Sequence, residues 1–433
     1  MCYYSGNFAQ LGEKKMHDVA RFLYLVVAGL IIYTYAGYPL VLLCIGLFRK
    51  RRHIVEPEEY PRVALIVSAY NEERIIRGKI ENSLKLDYPE DRLRIIIASD
   101  GSIDATDAIV REYENRNVVL KSFGKREGKS ATLNRAVVGL DEDILIFSDA
   151  NAFYKEDAVS KLVRNFQEDE IGCVVGHLLY MENSSYVGKG ESLYWRYESF
   201  LNSLESRLNS VLVATGTIFA IRRELFKPVS RDVANDFQIP ADVAATGCGV
   251  VYESEAIAYE RSTFYFREEF ARKRRIIVRG LTGFRNLRSS FGGAFRIFQF
   301  FSRKMLRWFI GPMLPLLYVT NAFLLDERPF YVLFVLQNMF YILAAVGALL
   351  RRGKVKSRVF LIPFYFVMVN TAALAAIATF IGGRRLASWE KAETTRDVRE
   401  HQLVVPQLRV IEGKKDLSFS EKRESVKNLE RIT

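Results

Sequence analysis

Several short polar segments of this 433-residue chain directly follow apolar runs and contain residue types that bind ligands. The segment SDGS at 99–102 contains Gly101, which permits a tight turn, and Asp100, whose carboxylate can accept hydrogen bonds from a nucleobase or a ribose. The segment AYNEE at 69–73 places Asn71 and Glu72 where a helix begins. Capping of that helix is the alternative to ligand binding there, and SDGS taken singly is a common turn sequence.

A cationic glycine loop, GKREGKS at 124–130, resembles a P-loop only superficially, because its Gly-Lys pair follows the first glycine by three residues instead of four. A positive loop ahead of a helix N-terminus remains a plausible contact for a diphosphate. A solvated charged loop is the alternative. The segment SDAN at 148–151 offers Asp149 and Asn151 as oxygen ligands for Mg²⁺ or Mn²⁺, or else forms a turn or helix cap.

Two further groups lie in the second half of the chain. Asp236, in the pair Asn-Asp, could take a proton from an attacking hydroxyl group, although spacing alone does not establish that geometry. The cluster RKRR at 272–275 could stabilise a departing diphosphate through charge-assisted hydrogen bonds. A basic cluster that sets membrane topology is the competing interpretation.

Short apolar runs alternate with amphipathic stretches between residues 61 and 258, which indicates strands followed by helices. Strands are predicted at 63–67, 93–98, 118–120 and 143–147, and helices at 72–86, 105–113 and 129–139. Fully apolar strands in such an alternation form a parallel sheet covered on both faces. Ligands bind such sheets at the carboxyl ends of the strands, where the polar segments lie. The predicted fold class is α/β, with a mixed, mainly parallel sheet.

Apolar segments flank this domain and predict an integral membrane protein. The net charge is +12, and basic residues gather beside those segments, which favours lipid headgroups over nucleic acid as partners. The four cysteines are scattered and indicate neither a zinc site nor a disulfide framework. The predicted divisions are an N-terminal segment 1–21, a transmembrane helix 22–48, a cytosolic domain 61–282, an interfacial amphipathic helix 285–304, three transmembrane segments within 305–382 and a charged tail 383–433.

The side of the membrane on which the tail lies is left open by the charge pattern. One crossing before the domain and three after it place the tail outside, whereas Arg384 and Arg385 favour the inside. The alternative is that one apolar segment does not cross. The first apolar run is longer than the hydrophobic core of a signal peptide, so we expect it to be retained.

Taken in order and between membrane helices, these groups resemble glycosyltransferase family 2, notably the membrane-bound branch of cellulose, hyaluronan and biofilm polysaccharide synthases. The resemblance implies a GT-A type nucleotide-sugar-binding domain and inversion at the transferred sugar. By position it implies nucleotide-sugar binding by Asn71, Glu72, Asp100, Lys129, Asp149, Arg272 and Arg275, metal binding by Asp149 and Asn151, acceptor binding by Gly216 and Thr217, and catalysis by Asp236.

Three departures from the family pattern are visible. The metal motif has one carboxylate, because Asn151 stands where a second aspartate is usual, and Asn235 precedes the catalytic position where an acid is usual. In the C-terminal box of processive synthases, Gln-x-x-Arg-Trp, only the arginine is kept, as Arg275, and Ile276 stands in place of the tryptophan. Polymer synthesis is therefore less firmly implied than sugar transfer.

The resulting hypothesis is a metal-dependent hexosyltransferase of the plasma or inner membrane that uses a nucleotide-sugar, expected to be a UDP-sugar, to extend a glycan or a lipid-linked acceptor at the cell surface. One alternative is a single addition to a lipid-linked acceptor. Another is a non-catalytic membrane subunit of a polysaccharide export complex, which the joint presence of Asp100, Asp149 and Asp236 disfavours.

Overall fold

A computed structural model describes residues 2–49, 52, 54–181, 186–262, 265–287, 292–350 and 357–383. Nearly all of the predicted charged tail, 384–433, lies outside the described residues. An eight-stranded sheet forms the centre, in the spatial order β3-β2-β1-β4-β7-β6-β8-β5. The strands are β1 Val63–Ala69, β2 Leu93–Ser99, β3 Val118–Ser122, β4 Ile144–Asp149, β5 Phe153–Tyr154, β6 Ile171–Met181, β7 Ile218–Arg222 and β8 Gly249–Arg261.

The sheet is mixed and mainly parallel, as predicted. β1 pairs in parallel with β2 and β4, and β2 with β3, while β7 runs antiparallel between β4 and β6. Successive side chains of a strand point to opposite faces. In β1, Val63, Leu65 and Val67 therefore enter one apolar cluster while Ala64 and Ile66 enter another. Both faces are buried, which explains why this strand is a continuous apolar run.

Helices cover the two faces of the sheet and continue into the membrane part. They are α1 Cys2–Ile32, α2 Tyr38–Leu47, α3 Ile76–Ser83, α4 Thr106–Arg111, α5 Lys129–Val137, α6 Ala158–Val163, α7 Tyr186–Ser206, α8 Asn235–Ala245, α9 Phe266–Leu287, α10 Ala294–Phe300, α11 Leu306–Ala322, α12 Arg328–Leu350 and α13 Arg358–Ile381. A π-helical turn at Tyr33–Gly37 joins α1 to α2, and another at Phe301–Met305 joins α10 to α11.

Three helical stretches within the described chain are long and apolar enough to cross a membrane: 14–47, 328–350 and 358–381. The first begins well before residue 22, where the sequence analysis placed its start, because the helix already runs from Cys2. Helix α11 has 17 residues and lies at the lower end of the length that spans a bilayer.

Two separate helices stand where a single amphipathic helix was expected over 285–304. α9 continues to Leu287, and a new helix begins only at Ala294, after Gly292 and Gly293, which have φ angles of +72° and +116°. Such angles are incompatible with a continuous α-helix. The polar residues of the second piece point inward, and Arg303 is only 2% exposed, so this segment presents its charged side chains to the protein.

Candidate active site

A cleft of about 310 Å³ lies at the carboxyl edge of the sheet, below the membrane helices. Its walls come from three sources: the ends of β4 and β8, the loop before β7 together with the start of α8, and the helices α7, α9 and α11. Of the residues predicted to act, the cleft brings together Lys129, Asp149, Asn151, Gly216, Thr217, Asp236, Arg272 and Arg275.

Gly216 lines the cleft beside three charged side chains. A methyl group placed on this glycine would lie 3.5 Å from Lys129 Nζ and 3.6 Å from both Asp149 Oδ2 and Asp236 Oδ2. The Lys129 ammonium forms an ion pair with Asp149 and donates a hydrogen bond of 3.4 Å to the Gly216 carbonyl. Two carboxylates and one cation from distant parts of the chain therefore share a space that only a glycine leaves open.

Lys129 is held in place by Asp100. The buried Asp100 carboxylate accepts hydrogen bonds from the backbone N–H groups of Glu127 at 2.8 Å and Gly128 at 2.9 Å. Gly128 has a φ of +94° and immediately precedes α5, whose first residue is Lys129. Of the three aspartates singled out in the sequence, Asp149 and Asp236 line the cleft and Asp100 does not.

Asn71 and Glu72 lie in the turn after β1 and likewise stand apart from the cleft lining. Asn71 adopts a left-handed φ of +50°; its side-chain oxygen accepts from the Ile103 N–H at 2.8 Å, and its own N–H donates to Ser102 Oγ at 3.0 Å. The buried Glu72 donates its N–H to Thr106 Oγ1 at 2.7 Å. These contacts tie the turn after β1 to the turn after β2, beside the loop that carries Lys129.

The candidate metal ligands lie at the end of β4. Asn151 donates from Nδ2 to Glu260 Oε1 at 2.8 Å, which leaves its side-chain oxygen as the possible ligand. Among the described residues, no three His, Cys, Asp or Glu side chains gather as a metal cluster. Asp149 and Asn151 nevertheless fit a hard divalent cation of the Mg²⁺ type, because such ions are commonly held by one or two carboxylates together with substrate phosphates.

Glu260, on β8, is a cleft residue that the sequence analysis missed. Burial raises the pKa of this carboxyl to about 7, and repulsion from Asp149 acts in the same direction. Glu260 therefore places a third acidic group near the metal motif, although it is separated from Asp149 by more than a hundred residues. The pairing of β8 with β5 and β6 brings Glu260 to the metal motif.

Asp236 sits in the first turn of α8, and its backbone carbonyl accepts from the Ala214 N–H at 2.9 Å. This bond fixes the start of α8 against the loop that contains Gly216. Burial raises the pKa of Asp236, and the nearby Asp149 adds to the effect, whereas Lys129 and Arg279 lower it. A carboxylate with a raised pKa is a stronger base than an ordinary aspartate.

The two arginines of the basic cluster differ in their surroundings. Arg272 forms ion pairs with Glu191 and with Glu269 Oε2 at 2.8 Å, both of them fully buried, and donates to Tyr180 Oη at 2.9 Å. Its charge is therefore balanced inside the protein, unlike that of a cation reserved for a departing diphosphate. Arg275 lines the cleft one helical turn further along α9.

Two tryptophans that the sequence analysis did not assign to the site also line the cleft. Trp195 comes from α7 and Trp308 from α11. Trp308 packs so closely on Gly280 of α9 that a methyl group on this glycine would lie 2.3 Å from the indole ring. The tryptophan absent from the C-terminal box thus has aromatic counterparts in the cleft, supplied by other helices.

The geometry is that of a GT-A glycosyltransferase joined to membrane helices, and comparison with known proteins supports this class. The family model described as "Glycosyl transferase family 2" matches residues 64–229. Residues 64–229 are therefore a glycosyltransferase family 2 domain, and the predicted family and enzyme class are confirmed. The matched range includes every predicted site residue except Asp236, Arg272 and Arg275.

Individual relatives are distant. "Probable glycosyltransferase YdaM" of Bacillus subtilis (strain 168) is 26% identical over 291 residues, which cover 61% of this chain and 68% of the relative. "Poly-beta-1,6-N-acetyl-D-glucosamine synthase" of Staphylococcus aureus (strain COL) is 27% identical over 169 residues, 39% of this chain and 40% of the relative. The solved mannosyltransferase PcManGT from Pyrobaculum calidifontis, in complex with GDP-Man and Mn²⁺, superimposes with a TM-score of 0.63 and 20% identity, over 84% of this chain and all of the other; it shows the shared fold.

The importance of the open space at Gly216 can be tested by filling it with a methyl group. Gly216→Ala adds a methyl group at ordinary contact distance from its neighbours, so we expect the protein to fold normally. The methyl group fills the gap between Lys129, Asp149 and Asp236, and we expect kcat/KM for sugar transfer to fall about ten-fold or more. Nucleotide release from a nucleotide-sugar, measured on protein in nanodiscs, checks this.

Gly78→Ala is the matched control. A methyl group there would lie 3.6 Å from the Phe153 ring, a contact as ordinary as that at Gly216, but away from the cleft. We expect Gly78→Ala to keep full activity. Equal activity of both variants would show that the space at Gly216 is not used by the substrates.

Proposed function

We propose that this protein is an inverting, metal-dependent transferase that moves a sugar from a nucleotide-diphosphate donor to a hydroxyl group of a glycan or lipid-linked acceptor, for synthesis of a cell-surface polysaccharide. The observation that carries the proposal is the convergence of Asp236, Asp149 and Lys129 on the open surface of Gly216. A base, a diphosphate-binding cation and a metal-binding carboxylate then lie within reach of one reacting sugar.

The proposed reaction is a single displacement. Asp236 accepts the proton of the acceptor hydroxyl, and the hydroxyl oxygen forms a bond to the anomeric carbon. The bond from that carbon to the diphosphate oxygen breaks on the opposite face, so the configuration inverts and the nucleoside diphosphate leaves with the bonding electrons. Lys129 and Arg275 stabilise the negative charge that develops on the leaving group.

Asp149 and Asn151 are the residues proposed to hold Mg²⁺ or Mn²⁺. When bound, such an ion neutralises charge on the diphosphate and orients it. The Mn²⁺ in the solved complex of PcManGT supports a divalent metal for this fold, but does not decide between the two ions. A UDP-sugar is the proposed donor.

A polysaccharide product is favoured by the similarity to the staphylococcal poly-β-1,6-N-acetyl-D-glucosamine synthase. A single addition to a lipid-linked acceptor is the second candidate, favoured by the loss of the Gln-x-x-Arg-Trp pattern and by the internal pairing of Arg272. Product size separates the two candidates, because repeated addition yields a ladder of chains and single addition one discrete product.

We further propose that the catalytic domain and the tail share the cytosolic side. A hydrogen bond between His17 and Asp326 and an ion pair of Arg21 with Glu327 join the start of the first membrane helix to the turn after α11, as expected if α11 and α12 form a hairpin across the membrane. Helix α13 instead runs along α9 of the catalytic domain. Tyr365 of α13 donates a hydrogen bond to Glu269 of α9, and further along Arg285 of α9 contacts the ring of Phe380 of α13. An α13 that stays at this surface keeps residues 384–433 inside.

The function is tested by offering the protein, in nanodiscs, a panel of UDP- and GDP-sugars with and without EDTA. We expect nucleotide release from at least one donor, its loss in EDTA and its recovery with Mn²⁺ or Mg²⁺. Binding of a nucleotide-sugar without release or transfer from any of them would favour the non-catalytic alternative. Sizing of the product in the same reactions then distinguishes repeated from single addition.

A second prediction concerns the base. Asp236→Asn keeps the shape of the side chain but removes its ability to accept a proton, so transfer should fall at least about 100-fold while nucleotide binding persists. Asp242→Asn, on the same helix, is the control, because the Asp242 carboxylate accepts a hydrogen bond from the Gln238 side chain and lies outside the cleft. Unchanged turnover in Asp236→Asn would remove Asp236 as the base.

The topology is tested by single cysteines in a chain whose native cysteines are replaced by alanine. A membrane-impermeant maleimide added to intact cells should label Leu325→Cys, in the turn between α11 and α12, and should not label Ser418→Cys in the tail. Permeabilised cells should show labelling of both. External labelling of Ser418→Cys would mean that α13 crosses the membrane.

A further inference from the structure

Lys79 of α3 is fully buried in the catalytic domain, with 0% of its surface exposed. Among the residues that the structure describes, no carboxylate forms an ion pair with its ammonium. Burial lowers the pKa of Lys79 to about 7, while attraction by the Asp149 carboxylate opposes this shift. A buried amine without a paired charge is costly, and an apolar side chain of similar length would avoid that cost. The lysine therefore indicates a role other than stability.

The ammonium of Lys79 contacts the segment that carries the candidate metal ligands. It donates a hydrogen bond to the carbonyl of Ala152, a residue that is itself fully buried. The Ala152 N–H in turn donates to the Asp149 carbonyl at 3.2 Å, which closes a turn over residues 149–152. Asn151 lies inside this turn. A single donor from α3 therefore holds the end of the turn that presents both proposed ligands.

Helix α3 also holds Tyr154, two residues beyond the turn. The ammonium of Lys79 lies 4.0 Å from the centre of the Tyr154 ring, a cation–π contact. Asn82, three residues further along α3, bonds the backbone of Tyr154 twice: its Oδ1 accepts from the Tyr154 N–H at 2.7 Å and its Nδ2 donates to the Tyr154 carbonyl at 2.8 Å. The turn and the short strand β5 after it are thus fixed to one helix.

The Tyr154 hydroxyl connects this segment to the loop before β7. It donates to the Thr217 carbonyl at 2.9 Å, and the tyrosine is almost completely buried. Thr217 directly follows Gly216, against which Asp149 and Asp236 both lie. A chain of contacts therefore runs from Lys79 through Tyr154 to the loop on the other side of the proposed reacting centre.

We propose that Lys79 is a positioning residue for sugar transfer, an inference that rests on the function and the metal site proposed above. Lys79 fixes the turn from Asp149 to Ala152 and, through Tyr154, sets the distance of that turn from the Gly216 loop. It lies outside the cleft and acts only through the groups that it contacts. An ammonium suits this role because it bonds a carbonyl and contacts an aromatic ring at once, which an apolar side chain cannot do.

Lys79→Met, in the full-length protein in nanodiscs, tests the role directly. Methionine removes the cost of a buried amine but leaves the Ala152 carbonyl without its donor, and because these effects oppose each other the thermal midpoint should change little. Mn²⁺ binding is followed by electron paramagnetic resonance with UDP or GDP present and without turnover. We expect the Mn²⁺ affinity and the kcat at saturating Mn²⁺ each to fall about 10-fold, as for other groups that orient metal ligands. Unchanged Mn²⁺ affinity with a lower thermal midpoint would show a purely structural role.

Tyr154→Phe tests the second half of the chain of contacts, also in the event that Lys79→Met does not fold. It removes the hydroxyl that bonds Thr217 and keeps the ring that Lys79 contacts. We expect kcat to fall about 3- to 10-fold, the amount expected from one lost hydrogen bond, while the Mn²⁺ affinity stays near that of the wild type. If the two residues act as one chain, the double variant should lose less than the product of the two single losses. Losses that simply multiply would overturn the link between Lys79 and Tyr154.

Lys121→Met and Tyr88→Phe are the matched controls, since each removes the same kind of bond outside the cleft. The Lys121 ammonium donates to the carbonyls of Ala136 and Val138, both at 2.8 Å. The Tyr88 hydroxyl donates to the Pro61 carbonyl at 2.6 Å. Both variants should keep the Mn²⁺ affinity and the kcat of the wild type, so that any loss is confined to the thermal midpoint.

The same measurements separate this inference from the function on which it rests. A wild-type protein that neither binds Mn²⁺ nor releases nucleotide would remove the proposed function and its metal site. A wild-type protein that does both, beside a Lys79→Met variant that does both equally well, would overturn the role of Lys79 and leave the function intact.

Discussion

The ion pair between Lys129 and Asp149 is the interaction on which the candidate site depends. Asp149 and Asp236 both lie against Gly216, and two carboxylates so placed in a poorly solvated cleft resist simultaneous ionisation. The ammonium of Lys129 opposes that repulsion, and the pKa of Asp236 is lowered by it while burial and Asp149 raise the same pKa. Because its pKa is raised overall, the Asp236 carboxylate is a stronger base than an aspartate in water. Asp100 contributes indirectly, because its bonds to Glu127 and Gly128 fix the loop from which Lys129 extends.

A second charged network attaches this site to the membrane helices. Arg303, which is almost fully buried, donates to Glu198 and Asn202 at 2.8 Å and forms an ion pair with Glu205, which in turn accepts from Tyr38 Oη of α2 at 2.5 Å. Removing one partner from a buried pair typically costs about 3–5 kcal/mol, because the other charge is left unbalanced. Glu198 and Arg303 also line the cleft, so the first membrane helix, α7 and the segment after α10 are held in one arrangement around it. The π-helical turn that carries Arg303 contacts the one in the first membrane helix through a bond of 2.9 Å between Ser302 Oγ and Tyr33 Oη. Such turns are frequent at functional sites.

The sequence was sufficient to predict the parts of the site that depend on local pattern. Apolar runs identify β1, β2 and β4, and in a parallel sheet their carboxyl ends meet at one edge, as the register of Ser68 against Asp149 shows. What it could not supply are contacts set by the packing of distant segments. Glu260 looks like an ordinary residue of a long strand, while Trp195 lies within the predicted cytosolic domain and Trp308 within the predicted transmembrane segments. Similarly, the break at Gly292 and Gly293 replaces an expected continuous helix, and Arg303 in the segment that follows is buried. Asp100 is predicted to contact a nucleoside, and the structure adds that its carboxylate also holds the loop before Lys129.

The departures from the family pattern become coherent once these distant contacts are included. Asn151 replaces a carboxylate of the metal motif, and its amide donates to Glu260, which brings a carboxylate to the same place from β8. Burial and repulsion from Asp149 both raise the pKa of Glu260, so this carboxyl is less readily ionised than an exposed glutamate. Ile276 takes the place of the box tryptophan, yet Trp195 and Trp308 line the cleft from other helices. In both cases a residue type that is missing from the sequence motif is supplied to the cleft by another segment of the chain. The chemistry of the cleft therefore follows from all the residues that line it and not from the motifs alone.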